Sequence, residues 1–234
     1  MKKFKTGILP LDTQLTGGIP GGSVVLILED PGAGGDVFTF HFAIEGAVND
    51  EKVFYLSTDD TEEEIKEYIQ VYFNVGEEIW EHVVIVSLSS FRQGIRKDVK
   101  DYLRRTMYDP MSGLKTILSN EDFERVIINN LTYFVTNYEL EGVIAFIEDL
   151  STIAKQNESV VLLTMTRGMF DPRVETTMKH YADGVFELTL REVENEVQRR
   201  LKIIKFKRIL VPKAILRYDL TEKGVRMESV MRVL

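Results

Sequence analysis

The sequence predicts an α/β fold: a twisted, mainly parallel sheet flanked by helices, with antiparallel strands at one edge. Three observations carry this. Apolar strand-like runs alternate with segments of helical length, the pattern of βαβ units. A glycine-rich loop joins the first long apolar run to a helical segment. The last two strand-like runs follow one another with no helix between them, which fits antiparallel pairing. The chain of 234 residues suits a single domain over 1–234, with no low-complexity linker and no internal repeat.

The elements follow in order. Ser23-Val24-Val25-Leu26-Ile27-Leu28 is a buried-strand run with its core at Val24–Leu28, and Val37–Asn49 is an apolar segment of helical length. Lys52–Leu56, Val83–Ser87, Arg125–Ile128, Ser159–Met165 and Gly184–Leu190 are the further expected strands, and Arg200–Lys207 with Ala214–Leu220 the antiparallel pair. Helices are expected at Glu62–Phe73, at Asn120–Glu124 with the stretch before it, at Leu140–Asn157 and near Arg173–Ala182. Thr61 and Glu64 form a capping box, and Ile65, Ile69, Tyr72 and Phe73 give that helix its buried stripe. Glu62 to Glu64 then read as a solvated first turn that suits the helix dipole.

Composition narrows the function classes. Hydrophobic residues make up 44% and charged residues 28% of the chain, as in soluble globular proteins. No apolar run approaches the ~18 residues of a spanning helix, so no membrane partner is expected. No apolar signal region follows the basic start Met1-Lys2-Lys3-Phe4-Lys5. The chain has no cysteine, which removes disulfides, thiolate catalysis and cysteine-held zinc and suits a cytoplasmic protein. The formal charge of −8 argues against general DNA coating but is compatible with a local basic patch. His41, His82 and His180 show no ligand spacing, so no metal centre is expected.

The loop reads Glu29-Asp30-Pro31-Gly32-Ala33-Gly34-Gly35-Asp36. A working phosphate-binding loop reads G-x-x-x-x-G-K-[ST] between a strand and a helix. The context and the glycines are right. Gly35, however, stands at the lysine position, Asp36 at the Ser/Thr position and Glu29 at the opening glycine. Lysine lost and carboxylate gained move the site by about two charge units against a triphosphate. At the first turn of a helix, Asp36 is expected to take the free N–H groups and fill the anion position itself. Direct ligation of a metal by Asp36 is the alternative.

Further segments fall in a recognisable order. Thr6-Gly7-Ile8-Leu9-Pro10-Leu11-Asp12 and Gly17-Gly18-Ile19-Pro20-Gly21-Gly22-Ser23 precede the first core strand. Asp59-Asp60-Thr61 follows Val53-Phe54-Tyr55-Leu56. Arg125-Val126-Ile127-Ile128-Asn129 reads as four strand residues and then a polar one. Ala182-Asp183-Gly184-Val185 and Leu220-Thr221-Glu222-Lys223-Gly224-Val225 come late. Together with the loop, these segments resemble the RecA-like P-loop ATPases of the KaiC/RadA type, over nearly the whole chain. The resemblance implies a RecA-like fold and a nucleotide site at Pro31, Gly32, Ala33, Gly34, Gly35, Asp36 and Asn129. Against the family pattern the Walker A lysine and Ser/Thr and the Walker B aspartate are all replaced, the last by Asn129. These groups normally hold phosphates and magnesium. Asp59 and Asp60 stand where the family has paired glutamates that act on the attacking water. As aspartates they fall short by roughly one carbon–carbon bond. Their other reading is a pair of loop carboxylates beside a helix N-terminus.

From Arg199 to Arg217 the chain is basic with no acidic residue. The resemblance implies that this region crosses a subunit boundary, with Lys205 and Lys207 reaching a neighbour's nucleotide. With Arg208, the same stretch is the candidate nucleic-acid patch. A solvated edge hairpin is the plainer reading. Arg167-Gly168-Met169-Phe170-Asp171-Pro172-Arg173 occupies the place of a DNA-contacting loop in recombinases, or is an ordinary loop.

The expected function is therefore a KaiC/RadA-like protein with degenerate motifs that does not hydrolyse ATP and needs no cofactor. It would be a regulatory or scaffold subunit, self-associating, assembling with an active relative, or accepting a strand or peptide from a partner. Two alternatives stay open. One is an ATP/Mg-binding or weakly active ATPase, its altered site completed by Asp59, Asp60, Lys205 and Lys207. The other is a recombinase-type accessory protein that binds single-stranded DNA. Gly35→Lys, Asp36→Thr and Asn129→Asp together are expected to restore nucleotide binding if only these side chains were lost.

Overall fold

A computed structural model describes residues 2–89 and 109–228. The strands are β1 (Lys3–Phe4), β2 (Ile19–Pro20), β3 (Ser23–Glu29), β4 (Val53–Ser57), β5 (Val83–Ser87), β6 (Arg125–Asn129), β7 (Val160–Thr166), β8 (Gly184–Val193), β9 (Glu196–Phe206), β10 (Ile215–Thr221) and β11 (Gly224–Met227). The helices are α1 (Leu9–Gln14), α2 (Gly35–Val48), α3 (Glu62–Tyr72), α4 (Pro110–Asn120), α5 (Thr132–Asn137), α6 (Leu140–Gln156) and α7 (Pro172–Tyr181). The main sheet runs β11-β10-β9-β8-β3-β7-β6-β4-β5. β8, β3, β7, β6, β4 and β5 are parallel neighbours, and β9, β10 and β11 extend the sheet antiparallel.

β3 lies in the middle and is buried on both faces, as its unbroken apolar run requires. Val25 and Ile27 point into a core closed by α2, α3 and the antiparallel strands. Val24, Leu26 and Leu28 point into the opposite core, closed by α4, α5, α6 and α7. Alternation at period two thus sends one strand's residues to two layers. The capping box forms: Thr61 Oγ1 accepts from the Glu64 amide at 3.2 Å, and Glu64 Oε2 accepts from the Thr61 amide at 2.7 Å. Arg125, buried at the start of β6, donates to Glu51 and to the carbonyls of Lys5 and Phe42, tying the N-terminal segment to α2.

Two expectations need correction. The helix placed at Asn120–Glu124 belongs earlier: Asp109 caps α4, Pro110 opens it, and it ends at Asn120. Beyond it the chain is extended, and the Glu124 amide donates to the Lys52 carbonyl as β6 begins. The antiparallel edge has three strands rather than two, because β11 turns back on β10 through Thr221–Gly224. Gly224 has φ +78°, and a side chain there would also overlap His41.

Parallel β3, β4, β6 and β7 bring their carboxyl ends to one side of the sheet. Glu29, Asp59, Asp60, Asn129 and Arg167 lie at or just beyond those ends. In open α/β sheets this is where ligands bind.

Candidate functional site

The loop between β3 and α2 is closed by groups of the chain itself. Gly32 and Gly34 have φ of +86° and +90°, a conformation that favours glycine. Gly34 turns the chain into α2, whose first amides point back toward the strand. The Gly35 amide donates to Glu29 Oε2 at 2.6 Å. A Cβ on Gly35 would overlap the Glu29 carboxyl group, so glycine at 35 and glutamate at 29 fit each other. Burial pushes the Glu29 carboxyl up to about 7; the Gly35 and Gly34 amides oppose that, while Asp36 and Asp30 reinforce it.

The rest of the loop is clamped. Tyr218 Oη donates to the Ala33 carbonyl at 2.9 Å, and Arg199 Nε donates to the Gly32 carbonyl at 3.4 Å. Leu220 packs over Gly34. Asp30 accepts from the Leu190 amide at 2.9 Å and pairs with Arg167 at 2.8 Å. The antiparallel extension thus acts as a lid on the loop, and Tyr218, Arg199 and Leu220 are the residues that do so.

Asp36 does not fill the anion position expected of it. Its carboxylate turns to β6 and accepts from Asn129 Nδ2 at 2.8 Å. Glu29 takes the helix amide because it reaches back from the end of β3. Asn129 Nδ2 also donates to Tyr55 Oη at 3.0 Å, and Asn129 Oδ1 accepts from Thr164 at 2.6 Å. The Thr39 hydroxyl donates to the Asp36 carbonyl at 2.7 Å, which leaves the Tyr55 hydroxyl to donate to Thr39 at 2.9 Å. Each hydrogen in this buried network has one acceptor, and the pattern needs an amide at 129: an aspartate would offer Asp36 only acceptors. Burial raises the Asp36 carboxyl, the Asn129 amide counters that, and Asp59 adds to the rise.

Asp59 and Asp60 sit on the same side, after β4. Their amides bond to Ser57 Oγ at 3.3 and 2.9 Å, and Thr58 donates to Asp59 at 3.1 Å. Asp60 is raised by partial burial and then by the charges of Asp36, Asp59 and Glu64. Pro31 is exposed at the loop's turn. Carboxylates therefore dominate the side chains gathered here, with Arg199 and Arg167 engaged at the loop's rim. Among the described residues no group of three or more His, Asp or Glu is arranged to hold a metal ion.

The other basic candidates lie elsewhere. Lys205 donates to the His180 carbonyl at 2.9 Å, and Lys207 pairs with buried Asp183 at 2.8 Å. Arg208 donates to the Gly22 carbonyl at 3.2 Å and to Ser23 Oγ at 3.1 Å. Ser23 begins β3 and Gly22 precedes it, so these three residues are at the end of the sheet opposite the loop. Arg167, a nucleic-acid candidate whose other reading is an ordinary loop, pairs with Asp30. His41 is a core histidine: its Nε2 accepts from the Val225 amide at 2.8 Å, and burial lowers it to about 4. Sequence reasoning missed the Glu29 contact. The signal was a carboxylate at the loop's opening position together with a glycine at the lysine position.

Comparison with known proteins identifies the family. The family model described as "ATPase: KaiC" matches residues 4–230. The UPF0273 protein of Pyrococcus furiosus is 23% identical, over 96% of this chain and 93% of that protein. The UPF0273 protein of Thermotoga maritima is 26% identical, over 96% of this chain and 95% of that protein. The circadian clock oscillator protein KaiC of a Nostoc species is 20% identical over 98% of this chain, which spans 43% of that protein. The crystal structure of a KaiC-like protein from Pyrococcus horikoshii aligns with a TM-score of 0.76 and 19% identity, covering 97% of this chain and 99% of that one. The fold is RecA-like, and the chain belongs to the KaiC ATPase family.

Proposed function

We propose that this KaiC-family protein does not hydrolyse ATP and works as a regulatory or scaffold subunit, through self-association or assembly with an active relative. The Asp36–Asn129 hydrogen bond carries this reading. It puts a carboxylate and a spent amide where the family pattern has a metal-binding hydroxyl and an aspartate. Magnesium and triphosphate fit poorly here: no lysine is available in the loop, and Glu29, Asp36, Asp59 and Asp60 would repel the phosphates. The DNA reading is weakened by the internal partners of Lys205, Lys207, Arg208 and Arg167. A partner role draws support from β5, an edge strand of the sheet among the described residues. Beside it lies a cleft of about 500 Å³ lined by Phe54, Val84, Val86, Ile117 and Phe123, among others. Edge strands with apolar neighbours suit an added strand.

Phosphate release from ATP and magnesium under single-turnover conditions tests the reading, with no release above buffer expected. Gly35→Lys, Asp36→Thr and Asn129→Asp together should not restore nucleotide binding, because the Glu29 carboxyl group, pressed aside by the new Cβ, would stay at the loop and pair with the new lysine. Adding Glu29→Gly should restore it by about 100-fold or more, some 3 kcal/mol. Equal binding by the triple and quadruple variants would show that Glu29 does not block the loop.

A further inference from the structure

The antiparallel extension packs a core with one face. Leu201, Leu216, Tyr218 and Val225 point into the core beside α2, so their neighbours on β9, β10 and β11 point the other way. On that outer face α7 reaches Glu187 and Lys205. Beyond them Lys202, Ile215 and Arg217 are exposed, and Arg200 is half-buried. Arg200 stands directly opposite Arg217 in the β9–β10 ladder, and Lys202 opposite Ile215. Like charges set opposite one another weaken a sheet. Nearby carboxylates are engaged elsewhere: Asp219 pairs with Arg226, and Glu187 with Lys179. Lys202 and Arg217 make no ion pair or side-chain hydrogen bond with any described residue. Arg200 Nη2 donates to Gln198 Oε1 at 3.0 Å, while its Nε is buried without an acceptor. A buried donor without a partner is costly, so the free protein leaves Arg200 under-used.

We propose that this face binds a short acidic segment of a partner protein, with carboxylates on Arg200, Arg217 and Lys202 and an apolar side chain on Ile215. Guanidinium forks match carboxylates in shape and charge. Ile215, 51% exposed and beside Lys202, supplies the apolar contact. The make-up of the patch favours a peptide over a nucleic acid. Glu196 at one margin and Glu228 at another would repel a continuous polyanion. The outward residues of β9 and β10 include no aromatic ring on which a base could stack. This surface is at the opposite edge of the sheet from β5, and its use does not require an empty nucleotide loop.

The test uses the full chain and a short fluorescein-labelled peptide of alternating glutamate and leucine, read by anisotropy. Saturable binding in the micromolar range is expected, weakening as salt is raised, with a glutamine–leucine peptide at least about 10-fold weaker. Arg200→Gln with Arg217→Gln should weaken the glutamate peptide by at least about 10-fold. Arg217→Glu should abolish binding and, by setting opposite charges across the ladder, raise the unfolding temperature by about 1–3 °C. A purely structural arginine pair would not join lost binding to gained stability. Should the double variant fail to fold, Arg217→Glu alone decides. Equal peptide binding by wild type and Arg217→Glu overturns the proposal. So does an oligothymidylate of equal charge that binds as tightly as the peptide, which would give the face to nucleic acid. An oligomer that Arg217→Glu disperses, with no peptide bound by the wild type, also overturns it, because the occupant is then a second copy.

Discussion

Asn129→Asp alone should destabilise the protein by about 2–4 kcal/mol at pH 8, and Asp36→Thr in the same chain should recover most of that loss. Asn129 Nδ2 now donates to Asp36 at 2.8 Å. An aspartate at 129 sets two carboxylates at that distance in a half-buried site, where both cannot ionise. The pair would keep a proton in the folded state that the unfolded chain releases near pH 4. Stability relative to wild type should therefore fall as pH rises above about 4, and the gap should close in acid. A threonine at 36 supplies a hydroxyl that donates to the new aspartate, so the pair exchanges donor and acceptor. The coupling energy of the double-mutant cycle, read from urea unfolding at pH 5 and pH 8, should be about 1–3 kcal/mol. Additive effects would mean that the two residues are not a matched pair.

The second large effect is the pH dependence that Glu29 contributes to stability. Glu29 is raised from 4.5 to about 7, chiefly by burial. A carboxyl raised on folding keeps its proton in the native state after the unfolded chain has lost it. Its contribution is thus most favourable below pH 4.5, declines as pH rises, and levels off above about 7. The loss across that window should be about 3 kcal/mol at most, since each tenfold change in proton affinity is worth ~1.4 kcal/mol. Glu29→Gln should remove this decline, so that its curve rises relative to that of the wild type across the window. Unfolding free energies measured at closely spaced pH values across the window check it, and a Glu29→Gln profile parallel to wild type would contradict it. His41 adds a slope of opposite sign, because burial lowers it from 6.5 to about 4 and the unfolded chain binds a proton there that the native state does not, so the Glu29 contribution is read from the difference between wild type and Glu29→Gln.

The fold was legible where periodicity was strong. The apolar run of β3, the glycine loop and the Thr61–Glu64 box announce a parallel α/β core, and each forms as read. Short elements such as β1, β2 and the six-residue α1 and α5 carry too few residues for a period to register. The α4 boundary is easily misplaced even though Asp109-Pro110 marks its start, because the residues of Glu121–Glu124 look continuous with the helix.

The site was legible in part. That Gly35, Asp36 and Asn129 depart from a nucleotide-binding pattern is plain in the sequence. Which carboxylate meets the helix amide is not, because Glu29 and Asp36 are both within reach and only packing decides. The burial of Asp36 against Tyr55 and Asn129 settles it in favour of Glu29. Lys205, Lys207 and Arg208 read in the sequence as one continuous charge run. Their partners, His180, Asp183 and Gly22, come from other parts of the chain that the β8–β9 and β3–β8 pairings assemble.

A loop satisfied by its own carboxylate should take no nucleotide. Calorimetric titration of phosphate-free wild-type protein with ATP and ADP, with and without magnesium, tests this most directly. No saturable heat up to millimolar nucleotide is the expected result. Micromolar, magnesium-dependent binding would contradict it and would mean that Glu29 leaves the loop when nucleotide arrives.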